Sequence, residues 1–394
     1  MTDSPQPGTP GPPGADRPGP SRRALLATSL GVLVGAGVGV GVTVAVRGDD
    51  QVTTPTPEAT TAIAAVHGDT QAGIDRPSTP QTFALFQIAD LGNPRDLGFL
   101  AGLGRRIAAL IAEPPADLLP DGPRGLTVTV GLGPRVIATL GRELPGAEAL
   151  PAFRGDDQIP SAANGGDVLI ACCADDPSIL PPVVDDLVGR IPAATRRWSQ
   201  FGYRGPGTGT VARNPLGFLD GISVPHTPKE LAANVWHGGA SAGATICVVR
   251  RLRLKITDFT KLPAGEREEI IGRRLDGVPL SGGAADDEVN LDAKNPDGTY
   301  QIPVDAHVRL ASPLRTGSDH MLRRSYSFDN GAGDVGLLFT SYQRELRTFA
   351  ITQQQLDQGD QLMRFVVPTG SATFLILPGY TETAPLGGTL TARA

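Results

Sequence analysis

From Thr82 to Leu377 the chain alternates short apolar runs with amphipathic helical stretches, and it does so twice in succession. That rhythm constrains the fold more than any other feature, because a sheet with one apolar face needs a second layer to cover it. Thr82–Leu91 (TFALFQIADL) predicts a strand, followed by a helix carrying Leu97, Leu100, Ile107, Leu110 and Ile111 on one face. Leu126–Gly131 (LTVTVG) alternates as a strand does, and a short helical stretch follows. Asp167–Cys173 (DVLIACC) predicts a third strand, and Asp175-Asp176-Pro177-Ser178 opens a helix from Pro177 to Ile191. The second round runs through a strand at Ala244–Ile256, a charged helix at Pro263–Arg274 and a strand at Val335–Tyr342. It ends with a helix at Gln353–Phe365 and a strand at Ala372–Leu377. Mixed strands and helices with few tight hairpins indicate an α+β fold rather than a doubly wound sheet. Two similar rounds indicate two related subdomains, each a sheet with helices on one face.

What precedes this part is of a different kind. The first 20 residues hold seven Pro and four Gly and predict a disordered leader. Ser21-Arg22-Arg23 then introduces an uncharged run from Ala24 to Val46, diluted by glycines at 31, 35, 37, 39 and 41. Paired arginines before a weakly apolar stretch predict a twin-arginine export signal over 21–46. The same 23 residues are long enough for a membrane anchor, so a tether through 24–46 is the competing expectation. Residues 47–65 read as a Thr/Pro linker. The expected location is therefore extracellular or in the cell envelope.

A net charge of −6 and a pI near 5.4, spread along the chain, exclude a nucleic-acid partner that would need a basic face. Three cysteines, two of them adjacent at Cys172 and Cys173 with Cys247 apart, do not make a disulfide framework. Folding in the reducing cytosol before export accounts for that. Zincin, thioredoxin, nucleophile-elbow and P-loop motifs do not occur in the sequence, and Gly131-Leu132-Gly133 lacks the remainder of a dinucleotide fingerprint. No pair among His67, His226, His237, His307 and His320 is spaced as a zinc pair. A lone histidine can still provide one axial bond to an iron whose other ligands come from a porphyrin.

Asn214-Pro215-Leu216-Gly217-Phe218-Leu219-Asp220-Gly221 contains a G-x-x-D-G motif. In the setting R-N-x-x-G-F-x-D-G it resembles the dye-decolorising (DyP-type) haem peroxidases. Further stretches resemble the same family in the same order. They are Gln71–Ile74, Val168–Asp176 (VLIACCADD), Arg197–Gln200, Val248–Arg251, Ile271–Arg274, Asp305–Pro313 (DAHVRLASP), Met321–Ser325 (MLRRS) and Gly370–Gly379 (GSATFLILPG). The similarity runs from about residue 66 to 380 and is greatest to the exported branch that includes deferrochelatases.

The resemblance implies two ferredoxin-like subdomains, at 66–212 and 213–394, each an antiparallel sheet with helices, with haem b held mainly by the second. His307 matches the family's proximal iron ligand, Asp220 the distal acid and base, and Arg323 the distal arginine, with Arg324 its neighbour and competitor. Gly221 and Ser325 belong to the distal motifs. Asp360, with Asp357 as alternative, matches the acid that orients the proximal histidine. Arg309 is a candidate for pairing a haem propionate. Thr70, Ser325 and Pro368 depart from residues common in the family. The implied activity is reduction of hydrogen peroxide with oxidation of a dye or phenolic donor. Trp198, Trp236, Tyr326 and Tyr342 are candidate electron relays. Release of iron from haem, as in deferrochelatases, and non-enzymatic haem binding are the alternatives. The twin-arginine machinery is an expected partner, and a homo-oligomer stays open.

Overall fold

A computed structural model of the chain describes residues 66–140 and 144–391. The leader, the twin-arginine segment and the linker lie outside the described residues. Among the described residues no helix is long and apolar enough to cross a membrane.

The first round supplies β1 (Phe83–Asp90), β2 (Thr127–Leu132), β3 (Val168–Ala174) and β4 (Thr195–Tyr203). They stand in the order β4-β1-β3-β2, and every pairing is antiparallel. Two helices, α1 (Phe99–Ala112) and α2 (Leu180–Val188), cover one face. Their buried sides, Leu100, Leu103, Ile107 and Leu110 on α1 and Val183, Val184 and Leu187 on α2, recur at helical spacing. After the short strands β5 (Gly207–Thr208), β6 (Val211–Arg213) and β7 (Leu219–Asp220), the pattern returns. The second round supplies β8 (Thr245–Leu254), β9 (Leu322–Arg323), β10 (Tyr326–Asp329), β11 (Val335–Gln343) and β12 (Val366–Ile376), in the order β12-β8-β11-β9 with β10 also on β11. Both halves therefore carry the ferredoxin-like strand order.

The two sheets join edge to edge. β2 pairs β12 through Gly131↔Ile376 and Leu132↔Leu375, and β4 pairs β10 at Ser327↔Tyr203. Because β10 also pairs β11, eight strands close into one ring. Alternation sends Ala84, Phe86 and Ile88 of β1, Cys247 and Val249 of β8, and Tyr326 of β10 into its interior. Ile246 and Val248 point outward into the core beneath the helices. The ring is filled by side chains, so the cavity described below lies on the outer face of the second sheet.

Three elements differ from their sequence reading. The helix expected over Gln353–Phe365 begins earlier, as α5 (Leu346–Gly359), and stops at Asp360. Asp360 is extended, and its carboxylate caps the 3₁₀ turn Gln361–Phe365 by accepting from Leu362 N at 2.8 Å. The strands β4 and β10 were not foreseen. β4 reads TRRWSQFGY, and two arginines on a half-solvated strand mask its alternation.

Candidate active site

A cavity of about 250 Å³ lies between the outer face of β8, β11 and β12 and two helices, α5 and α4 (His307–Leu310). Its walls are mainly apolar and include Leu252, Leu337, Phe339, Phe349 and Leu356. The polar exceptions are grouped.

His307 opens α4 and lines the cavity. The preceding helix, α3 (Ala264–Ile271), ends on Gly272 with φ +92, where a Cβ would stand 2.3 Å from Val308 Cγ2. Only glycine lets α4 pack this closely, and that approach fixes where His307 sits. His307 Nδ1 lies 2.7 Å from Asp360 Oδ2. A carboxylate at this distance accepts a proton-bearing nitrogen, so Nδ1 keeps its hydrogen and Nε2 keeps its lone pair. The imidazole is deep in the protein, yet 33% of its side-chain surface is accessible, and that surface faces the cavity. Burial by itself would lower its pKa, but the charge and hydrogen bond of Asp360, with Asp220 adding to them, raise it above the ordinary imidazole value.

Asp220 ends β7 and is held by the Asn214–Phe218 turn, whose Asn214 Oδ1 accepts from Leu216 N and Phe218 N. Its Oδ1 accepts from Gly221 N at 2.6 Å and from Arg323 Nη2 at 3.2 Å. Oδ2 has no partner among the described residues. Arg323, on β9, also donates from Nη1 to Ser223 O at 3.1 Å. Burial would raise the Asp220 pKa. The Arg323 charge, the Gly221 N–H and His307 together outweigh it and hold the carboxyl below its usual range. Gly221 has φ +89, and a Cβ there would lie 2.2 Å from Thr210 O, so the residue after the acid must be glycine.

Sequence reading thus named the residues that converge here, and the structure separates the ambiguous pairs. Arg323 reaches Asp220, whereas Arg324 on the next residue is buried and donates to Pro77 O. Asp360 reaches His307, whereas Asp357 accepts from Arg154 N and Gln353 Nε2. Ser325 does not line the cavity. Its Oγ accepts from Thr340 N at 3.2 Å, and it faces a small pocket of about 30 Å³ behind Asp220 and Arg323. Pro368 does line the cavity.

Arg309 requires a correction. Its guanidinium is buried away from the cavity, stacks 4.5 Å from the Tyr300 ring, and donates to the carbonyls of Leu291, Ile302 and Pro303. On α4 a residue two positions from His307 points to another side of the helix, so one of them facing the cavity turns the other inward to the loop. Among the relay candidates, Tyr326 and Tyr342 are fully buried inside the ring, while Trp198 and Trp236 are half-buried at its margin. Arg154 and Arg250 also line the cavity; Arg250 lies in the Val248–Arg251 stretch without a role read from it, and Arg154 lies in no motif at all.

The donor set limits what the cavity can hold. Among the described residues no group of three His, Cys, Asp or Glu could bind a bare metal ion. Two histidines line the cavity, His307 and His320, and His307 is the one a carboxylate orients through Nδ1. Its free Nε2 in an apolar cavity suits an iron that brings its other ligands with it, and the residues present fit a haem.

Two family models match the chain. Dyp-type peroxidase, N-terminal, covers residues 71–204, and Dyp-type peroxidase, C-terminal, covers 211–381. The chain is 34% identical to a dye-decolorizing peroxidase of Thermobifida fusca, over 92% of this chain and 96% of that protein. It is 32% identical to a deferrochelatase of Yersinia pestis, over 73% and 72% respectively. Its structure is similar to that of a DyP-type peroxidase from Cellulomonas bogoriensis, with a TM-score of 0.75 and 32% identity, covering 82% of this chain and 96% of that one.

Proposed function

The chain belongs to the Dyp-type peroxidase family, and from that premise we propose that the cavity between His307 and the Asp220–Arg323 pair is a haem b site. There the enzyme, a peroxidase, reduces hydrogen peroxide and oxidises dyes or phenolic donors. The observation that carries this reading is the arrangement of an imidazole, His307, held through Nδ1 by a carboxylate with Nε2 unengaged, and a carboxylate–guanidinium pair around a single apolar cavity.

Haem bound through His307 Nε2 supplies the redox chemistry. The protein's own groups do the rest. Asp360 keeps the proton on His307 Nδ1 and strengthens the imidazole as a donor. Asp220 Oδ2 takes a proton from peroxide and returns it to the departing oxygen, which is general acid–base work by one group. Arg323 would offset the negative charge that develops on the departing oxygen as the proton arrives, and the apolar walls would keep that interaction in a low dielectric. Haem carriage alone needs no proton shuttle, so the Asp220–Arg323 pair favours a peroxidase over a carrier. Bulky donors would deliver electrons from outside, with the half-buried Trp198 and Trp236 as candidate relays. The Arg22-Arg23 segment supports export by the twin-arginine route, which cell fractionation tests.

The test is an absorption spectrum of the haem-loaded protein before and after stoichiometric peroxide. A Soret band that shifts within seconds, and is lost in His307→Ala, is the expected result. A Soret band indifferent to peroxide overturns the peroxidase assignment, and recovery of metal-free porphyrin redirects it to iron release. No Soret band at all overturns the haem site.

A further inference from the structure

Haem propionates bring negative charge to the pocket that holds them, and a buried carboxylate requires a cationic partner. Arg309 is turned away, so among permanently charged groups the partner is one of the arginines that do line the cavity: Arg154, Arg250, Arg273 and Arg323. Arg323 is engaged by Asp220 and Ser223. Arg273 donates to the carbonyls of Gly277, Ala285 and Asp287 and closes its own loop. Arg250 is buried and bidentate on Asp156, at 2.6 and 2.8 Å, with a third bond to Ser371 Oγ. Its Nε stays buried without an acceptor. The Arg154 guanidinium, exposed at the rim, has no partner among the described residues.

The charge around the rim points the same way. The other exposed ionisable residues lining the cavity are Glu288 and Asp319, which would repel a carboxylate. On the Arg154 side the wall is shared with an outer pocket of about 310 Å³, where Lys255 and Arg364 are balanced by Asp157 and Asp357, so the uncompensated charge there is that of Arg154. Arg154 is anchored there by its backbone, since Arg154 N donates to Asp357 Oδ2 at 2.9 Å.

We propose that Arg154 is the carboxylate clamp of the cavity and pairs with a haem propionate; this rests on the cavity being the haem site. The cofactor is then held from both halves of the chain, by His307 of the second round and by Arg154 from the segment that follows the first sheet's β2. A residue of the first half becomes a determinant of which porphyrins are retained. Porphyrins with free carboxylates are held, and their esters are not.

The experiment is haem loss from the loaded protein to excess apomyoglobin, followed by the Soret change, for wild type, Arg154→Ala and Arg154→Lys. Each is loaded with haem or with haem dimethyl ester. Loss of haem is expected to be about ten- to a hundred-fold faster in Arg154→Ala, the range for a lost charge-assisted hydrogen bond. Arg154→Lys should fall between, and the ester should leave wild type and Arg154→Ala at equal rates. Equal haem loss in wild type and variant overturns the clamp. So does equal acceleration with the ester, which would mark a packing effect. The melting temperature of the haem-free protein should not move, because this guanidinium holds nothing in place. If it falls in Arg154→Ala, Arg154→Gln repeats the comparison with the side-chain length kept. A wild type that takes up haem and loses it no more slowly than the variants overturns the clamp alone. One that never develops a Soret band overturns the haem site as well.

Discussion

His307 Nδ1 lies 2.7 Å from Oδ2 of Asp360, whose side chain has no surface open to solvent. The pair is a buried link between the start of α4 and the end of α5, and it sets which imidazole nitrogen is left for the cavity. Replacing Asp360 by Asn keeps the shape and removes the charge. Peroxide turnover should fall about 10–100-fold, the usual cost of losing an outer-shell partner of a metal ligand. The ferric/ferrous midpoint potential should rise, because the imidazole donates less. An unchanged potential, read by spectroelectrochemistry, would remove Asp360 from this role.

Arg323 and the Gly221 N–H hold the Asp220 carboxyl below its usual range against the opposing effect of burial. The basic form therefore persists to lower pH than a free aspartate, whose pKa is about 3.9. The acid limb of kcat/KM for peroxide should lie below that value. In Arg323→Ala the carboxyl loses its largest stabilising charge, and the limb should move to higher pH. The linkage has the same sign for stability: the depressed carboxyl contributes above its unfolded pKa, and the contribution is lost as pH falls through the folded one. Asp220→Asn should slow the peroxide reaction about 10²–10⁴-fold at every pH. A limb that stays put in Arg323→Ala would contradict the assignment.

Gly221 carries φ +89, with Thr210 O only 2.2 Å from any added Cβ. Gly221→Ala should destabilise the fold by about 1–3 kcal/mol. It should also slow peroxide reduction, because the Gly221 N–H then no longer meets Asp220. Calorimetry and stopped-flow kinetics read the two effects separately, and a stable, fully active variant would refute both.

Arg309 ties the carbonyls of Leu291, Ile302 and Pro303 together beneath Tyr300. Arg309→Met should lower the unfolding free energy by about 1–3 kcal/mol, since buried acceptors lose their donor. The rate of haem loss should stay near that of wild type, which a faster loss would contradict.

Cys172, Cys173 and Cys247 are buried inside the sheets, and burial pushes all three thiols upward in pKa. The thiolate is the reactive form, so none should react with a thiol reagent under native conditions, and all three should react after denaturation. Reaction of any of them in the folded protein would contradict this placement.

The strands with strong apolar content and the two helices of the first round were legible, because burial on a regular element leaves a period in the residues themselves. β4 and β10 were not. Their alternation is broken by charge at Arg196 and Arg197 and by brevity at Tyr326–Asp329, yet they close the ring. Such pairing is decided by the neighbouring edge rather than by the strand's own sequence.

For the site, the sequence itself determined the chemistry of single positions: an aspartate before an obligatory glycine at 220–221, a lone histidine at 307, and two adjacent arginines at 323 and 324. Only the tertiary structure decided which groups meet. Asp220 and Arg323 are 103 residues apart and His307 and Asp360 are 53 apart, so no local period records either pairing. Folding brought Arg323 rather than Arg324, and Asp360 rather than Asp357, to the right face. It turned Arg309 away and exposed Arg154 at the rim, because the orientation of a side chain depends on the element it stands on and on what that element packs against.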